Sequence, residues 1–205
     1  TEFNAMVEHS AKSQELRISS LQNESWTWSV GGYYESGHSS NGSTLEFGLP
    51  GPDSSVVLAP TLSEPSYKQW AVFGDATYAL TDRLEVGLGI RYFEDDRELF
   101  DGTNIQTATF DSVSPRVYIR YDINDAVNAY VSVSKGFRSG GFNPVGRGAP
   151  YDPEELWAYE VGVKMSSIDG HLDTEIAVYY NDYSEYQITG IIPPPAPPFS
   201  VVSNA

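Results

Sequence analysis

In the stretch SWTWSVGGYYE, Trp26, Trp28, Val30 and Tyr34 are apolar with Gly32 between them, while Ser25, Thr27, Ser29 and Gly31 fill the intervening positions. A period of two puts successive side chains on opposite faces of an extended chain and predicts a β-strand. The pattern returns in RLEVGLGIRYFE, where Leu84, Val86, Leu88, Ile90 and Tyr92 oppose Arg83, Glu85, Gly87, Gly89 and Arg91. HLDTEIAVYYND sets Leu172, Thr174, Ile176, Val178 and Tyr180 on one face, and AVNAYVSVS does the same with Val127, Ala129, Val131 and Val133. Weaker copies are SQELRIS, QWAVFGDATYAL, RVYIRYD and WAYEVGVKM. The chain is therefore expected to be all-β, with about eight strands and no helix.

The connections alternate between short and long. SLQNE, TD, IND and SSIDG carry the Asn, Asp, Ser or Gly that tight hairpins favour. The others run from about Ser36 to Ser66, Glu94 to Ser112, Gly136 to Glu155, and onward from Ser184, and are expected to be long loops. A soluble sheet has no reason to sort its loops this way. An antiparallel transmembrane β-barrel does, with short periplasmic turns at one rim, long extracellular loops at the other, and strands that are apolar outward and polar inward. On the outward parity Tyr34, Tyr92, Trp157 and Tyr180 lie beside long connections and Trp26, Tyr78 and Tyr121 beside short ones, as two aromatic girdles would. Trp26 and Tyr34 are eight residues apart, which at about 3.3 Å per residue and a tilt near 45° gives a rise of roughly 19 Å, near the height of an apolar band. The inward parity holds Arg83, Glu85, Arg91, Arg116, Arg120, Glu160, Lys164, Asp173 and Glu175.

A secreted β-sandwich binding glycans through exposed Tyr and Trp also alternates, and it is the alternative at the level of fold. A complete eight-stranded outer-membrane barrel serving as adhesin or anchor is the other. The formal net charge of −16 makes nucleic acid an unsuitable partner, and 13% aromatic residues are too many for a disordered acidic tail. There is no cysteine, so disulfides and thiolate metal sites are out. No signal peptide stands near Thr1, and no apolar run approaches the 18 or so residues of a membrane helix.

The segment VSVSKGFRSGGFNP is not a phosphate loop, since it lacks a Gly-Lys-Ser/Thr ending, a following helix and the dinucleotide glycine spacing. Gly136, Gly140 and Gly141 are expected to bend the chain at the extracellular rim, with Phe137 and Phe142 packed near the interface and Arg138 turned to the lumen, a ligand or lipopolysaccharide. His9 in the N-terminal lead, His38 in a long loop and His171 beside a short turn have no metal-ligand spacing. FEDDRELFDGTN reads as a solvated acidic loop without the spacing of a twelve-residue calcium loop, and GIIPPPAPPFS as a stiff extracellular loop or hairpin tip. No Ser, His and acid grouping points to an enzyme.

SQELRISS, WTWSVGGYYES, YVSVSKGFRSGGFNP and YDPEELWAYEVGVKMSSIDGHLDTEIAVYYNDYSEYQI, in that order, resemble the barrel of TonB-dependent outer-membrane receptors over most of Ser13 to Ile188. The resemblance implies a 22-stranded barrel around an N-terminal plug, in the outer membrane among lipid and lipopolysaccharide. It implies uptake energised by a TonB-type inner-membrane complex, commonly with a ferric siderophore as the small-molecule ligand and with no cofactor or enzymatic step. No plug, energy-coupling box or terminal aromatic strand is recognised, so residues 1–205 are expected to be an internal part of the barrel, with plug and C-terminal strands outside the sequence. Residues on or near the extracellular rim, Tyr33, Arg91, Arg138, Phe142 and Tyr183, are the candidate ligand contacts.

Overall fold

The computed structural model describes residues 2–21, 25–48, 55–143, 148–167, 171–192 and 199–205. Its strands are β1 (Glu2–Ser19), β2 (Trp26–Gly48), β3 (Ser55–Thr81), β4 (Leu84–Phe100), β5 (Ile105–Asn124), β6 (Val127–Arg138), β7 (Glu154–Ser166), β8 (Asp173–Ser184), β9 (Gln187–Ile192) and β10 (Phe199–Asn204). Strands β1 to β8 form one antiparallel sheet in chain order, and β9 pairs with β10 in a hairpin of its own. All eight expected strands are present and no helix occurs among the described residues; β9 and β10 carry no alternation strong enough to predict them.

The registers carry the sequence alternation across the whole sheet. Leu16, Gly32, Val72, Tyr92 and Val113 form one outward row, and Leu88, Val117, Val133, Tyr159 and Tyr180 another. This apolar face lies open: Leu16 is 73% exposed, Ile90 58% and Val178 68%, while Ala71 and Leu99 are the buried hydrophobic residues among those described. A continuous apolar surface of this size needs lipid against it, not water. Among the described residues no second sheet packs on that face as a sandwich requires, and β8 does not pair with β1, so the eight strands do not close by themselves.

The long connections differ from expectation. β2 runs on to Gly48 and β3 starts at Ser55, with β1 alongside β2 from Glu2, so most of Ser36–Ser66 is paired strand and His9 and His38 stand in strands. Likewise β4 and β5 continue to a turn at residues 101–104, where Asp101 Oδ1 accepts the N–H groups of Thr103 (2.9 Å) and Asn104 (2.8 Å), and Gly102 supplies φ 91°. The cause is physical: above the lipid both faces of a strand meet water, so hydropathy stops alternating although pairing continues. β2 extends 14 residues beyond Tyr34, about 46 Å along the strand and roughly 33 Å above the girdle at 45° tilt. The connection after Arg138 alone remains an irregular loop of some length among the described residues, folded back by a Gly141–Tyr151 bridge. Residues 22–24 and 168–170 of two short turns, Pro144, and residues 193–198 of the proline-rich run lie outside the described residues; β9 and β10 flank that run as the two arms of a hairpin.

Candidate functional site on the inner wall

The polar face is built from a recurring local unit. Gly37, Gly87 and Gly162 are register partners of Tyr67, Tyr118 and Tyr130, and a Cβ at any of these glycines would overlap the tyrosine ring. Each ring therefore lies flat over a neighbouring strand, the arrangement in which an aromatic covers a strand glycine. Its hydroxyl then reaches the carboxylate two residues before that glycine: Tyr67 donates to Glu35 (2.6 Å), Tyr118 to Glu85 (3.0 Å) and Tyr130 to Glu160 (2.6 Å). The sequence signal is a Glu-x-Gly triplet, at Glu35–Gly37, Glu85–Gly87 and Glu160–Gly162, with a Tyr on the adjacent strand. Lys164, Glu175, Arg116 and Arg120 complete the polar wall toward the short turns.

Toward the extracellular end the wall becomes cationic and aromatic. Arg91 holds its guanidinium 5.7 Å from the Tyr33 ring centre, 5.8 Å from Phe73 and 5.6 Å from Phe93, a stacking geometry that stabilises a cation without neutralising it. Arg91 forms no ion pair among the described residues. Tyr33 and Tyr67 both donate to Glu35, and these bonds hold the Glu35 carboxyl below its ordinary range. The same bond, with burial, pushes Tyr67 up to about 12.

The loop after β6 closes over this region. Asp95 is fully buried and bound to Arg97 Nε at 2.7 Å, and Arg97 Nη1 donates to the Gly140 carbonyl at 3.0 Å. Asp95 thus departs from the expected solvated loop; a buried carboxylate needs such a partner. A Cβ at Gly140 would meet the Tyr151 carbonyl and the Phe110 ring, so glycine is required there for close approach. Positive φ among the described glycines occurs at Gly102, so Gly136, Gly140 and Gly141 do not bend the chain by a left-handed turn. Three amides stitch the loop to the β9–β10 hairpin. Gln187 Nε2 donates to the Ser139 and Asp152 carbonyls (3.0 Å each), Asn143 exchanges two bonds with the Val202 backbone, and Asn204 does so with Asp152.

The structure brings Tyr33 and Arg91 together and sets Phe142 in an adjoining groove with Tyr67, Arg97 and Tyr151. Phe142 therefore packs inward on the loop, and Phe137 meets Phe93 at 6.1 Å, instead of both lying at the lipid interface. Arg138 ends β6, exposed and opposite Glu154, and Tyr183 stands on β8 against Tyr186 at 5.2 Å, so these two belong to the far edge of the sheet. Phe73, Phe93, Tyr67, Glu35 and the Asp95–Arg97 pair were not among the expected site residues. Phe73 shares the inward parity of Arg91 and faces it in register, a signal that the pairing of β3 with β4 exposes.

The family model for TonB dependent receptor-like β-barrels matches residues 8–205. The chain belongs to this family. The receptor's curated relatives include the metal-pseudopaline receptor CntO of Pseudomonas aeruginosa, 29% identical over 102 residues that make up 45% of this chain and 14% of CntO. Another is the ferric-pyoverdine M114 receptor PbuA of Pseudomonas sp., 26% identical over 144 residues, 64% of this chain and 17% of PbuA. The chain thus spans about a sixth of the length of these relatives. Among solved structures, the ferric yersiniabactin uptake receptor FyuA from Yersinia pestis superposes with a TM-score of 0.75 at 20% identity, covering 91% of this chain and 30% of FyuA. The copper transporter OprC superposes with a TM-score of 0.79 at 12% identity, covering 98% and 33%. The family is one of outer-membrane β-barrels, which gives the apolar face its lipid and the polar face the lumen.

Proposed function

We propose that this chain is one part of the barrel wall of an importer for metal chelates, most simply a ferric siderophore, whose plug and remaining strands lie elsewhere in the full receptor. The observation that carries the reading is Arg91, a guanidinium without an ion pair among the described residues, above Tyr33, Phe73 and Phe93 on the inner face near its extracellular end. An anionic chelate suits such a site: the rings supply apolar contact and the guanidinium the counter-charge. Phe142 on the adjoining loop, and Arg138 and Tyr183 at the far edge, are further contacts for a ligand that bridges the lumen. The relatives support the substrate class, being receptors for metal–pseudopaline and ferric pyoverdine. Coupling to a TonB-type complex belongs to the part of the receptor outside this chain.

The test is tryptophan-fluorescence quenching of the purified full-length receptor by ferric pyoverdine, ferric yersiniabactin and a metal–pseudopaline complex, for wild type and Arg91→Ala. Binding of one chelate, weakened about tenfold or more in the variant, is the expected result. Binding of none, or an unchanged Kd, would sink the proposal.

A further inference from the structure

Among the three Glu-x-Gly units of the inner wall, the carboxylate of Glu35 is held differently from the other two. Glu85 has one phenol, Tyr118, and an ion pair with Arg120 at 3.5 Å. Glu160 shares the single phenol of Tyr130 with Glu175, which is itself paired with Lys164 at 3.3 Å. Glu35 has two phenols, Tyr33 on Oε2 and Tyr67 on Oε1 (2.6 Å). It forms no ion pair among the described residues. Its charge is thus held by two hydroxyl donors alone, on a half-buried stretch of wall.

A second carboxylate beside it also lacks a full complement of partners. Asp95 is diagonal to Tyr67 across the β3–β4 register, and its charge acts on the Tyr67 hydroxyl. It is fully buried, Arg97 binds Oδ2, and Oδ1 has no hydrogen-bond partner among the described residues. A buried carboxylate oxygen without a donor favours positive charge nearby.

The donor set at Glu35 is chemically specific. Two phenols and a carboxylate are hard oxygen ligands, with no thiolate or imidazole to select softer metals. An octahedral ion with bonds of about 2.0 Å sets neighbouring oxygens about 2.9 Å apart, close to the 2.6 Å that separates Tyr67 from Glu35. An ion can therefore replace the phenol protons with little side-chain movement. Charge selects the valence: a trivalent ion with two phenolates and one carboxylate is neutral, whereas a divalent ion leaves a negative charge in a half-buried site. Without an ion, Glu35 and burial keep Tyr67 protonated, its pKa pushed up to about 12. A bound cation reverses that preference.

We infer that Tyr33, Tyr67 and Glu35 form a ferric-ion site in the lumen wall, which completes the coordination of a ferric chelate that has positions to spare. Both phenols bind as phenolates: their O–H bonds break, the protons pass to solvent, and the new Fe–O bonds replace water on the iron with no change of oxidation state. Arg91, 5.7 Å from the Tyr33 ring centre, holds the anionic chelate against them. The inference rests on the importer reading and deepens it, since the wall itself then supplies ligands to the metal.

The probe is ferric nitrilotriacetate, an unsaturated chelate, added to the purified full-length receptor. Visible absorbance reports iron–phenolate charge transfer, tryptophan quenching reports binding of any kind, and heat-modifiable gel mobility confirms the fold of each variant. Wild type is expected to bind the chelate and to develop the charge-transfer band. Tyr33→Phe/Tyr67→Phe is expected to lose the band and bind about tenfold or more weakly. Glu35→Gln is expected to weaken the band, and Tyr118→Phe, in a unit with one phenol, to leave it unchanged. Gallium(III) nitrilotriacetate should suppress the band by competition and the zinc complex should not. Quenching without the band, or a band that survives in Tyr33→Phe/Tyr67→Phe, would overturn the site and leave the importer reading intact. Equal competition by zinc would overturn the trivalent assignment. Absence of quenching by ferric nitrilotriacetate would also overturn the site, while the importer reading is decided separately by the siderophore chelates.

Discussion

At the scale of single residues, the inner wall depends on what three glycines leave out. A side chain at Gly87 would lift the Tyr118 ring and break its bonds to Glu85 (3.0 Å) and Thr77 (3.1 Å). Gly87→Val is therefore expected to destabilise the full-length receptor by about 1–3 kcal/mol, read as a lower temperature for loss of heat-modifiable mobility, whereas Gly32→Val at an open site leaves that temperature nearly unchanged. Glu35 gives a pH signature. Its carboxyl is held below the ordinary 4.5, so the stability its bonds contribute is present above 4.5 and fades as pH falls below it. Tyr67, raised from 10.0 to about 12, contributes fully below 10 and loses that contribution as pH climbs toward 12. In Glu35→Gln the tyrosinate absorbance assigned to Tyr67, by difference from Tyr67→Phe, is expected to move back toward 10. Parity sufficed to place Arg91 and Tyr33 on the inner face. It could not reach Glu35 or Tyr67, because the two stand at either edge of Ser36–Ser66, a segment whose hydropathy suggested a loop.

At the scale of elements, the membrane-level strands were legible because lipid on one face and water on the other impose a strict period of two. The upper halves of β1 to β5 were not, being wet on both faces. The β9–β10 hairpin was hidden for another reason: Gln187, Asn143 and Asn204 fasten it to the 139–153 loop by bonds between segments up to 59 residues apart, and nothing local in the sequence announces such partners. Removing these amides is expected to loosen both pieces together. In Asn143→Ala and in Gln187→Ala, hydrogen exchange of the 139–143 and 187–192 amides rises jointly, while β4 and β5 keep their protection. Faster exchange in one piece alone would show that they move separately.

At the scale of the molecule, a single curved sheet with lipid outside and polar groups inside has two open edges, β1 and β8. Unpaired edges are costly in lipid, so this 205-residue chain refolded alone in detergent is expected to give oligomers or aggregate, with no heat-modifiable monomer on a gel. A discrete monomeric band would show instead that eight strands can close.

The height of the β2–β3 hairpin has a mechanical side. Strands sheared along their length share a load among all their ladder bonds at once, whereas a hairpin pulled open at its tip yields one bond pair after another. Between Ser55 and Ser63 the neighbour of β3 is β2; from Glu64 downward β4 grips its other edge through the Glu64–Phe100 pair. A pull applied to the tip, as by a particle tethered there, would therefore peel the upper β3 at low, steady force and then stall at Glu64. The projecting part acts as a compliant leader that gives way while the membrane-level wall keeps its shape.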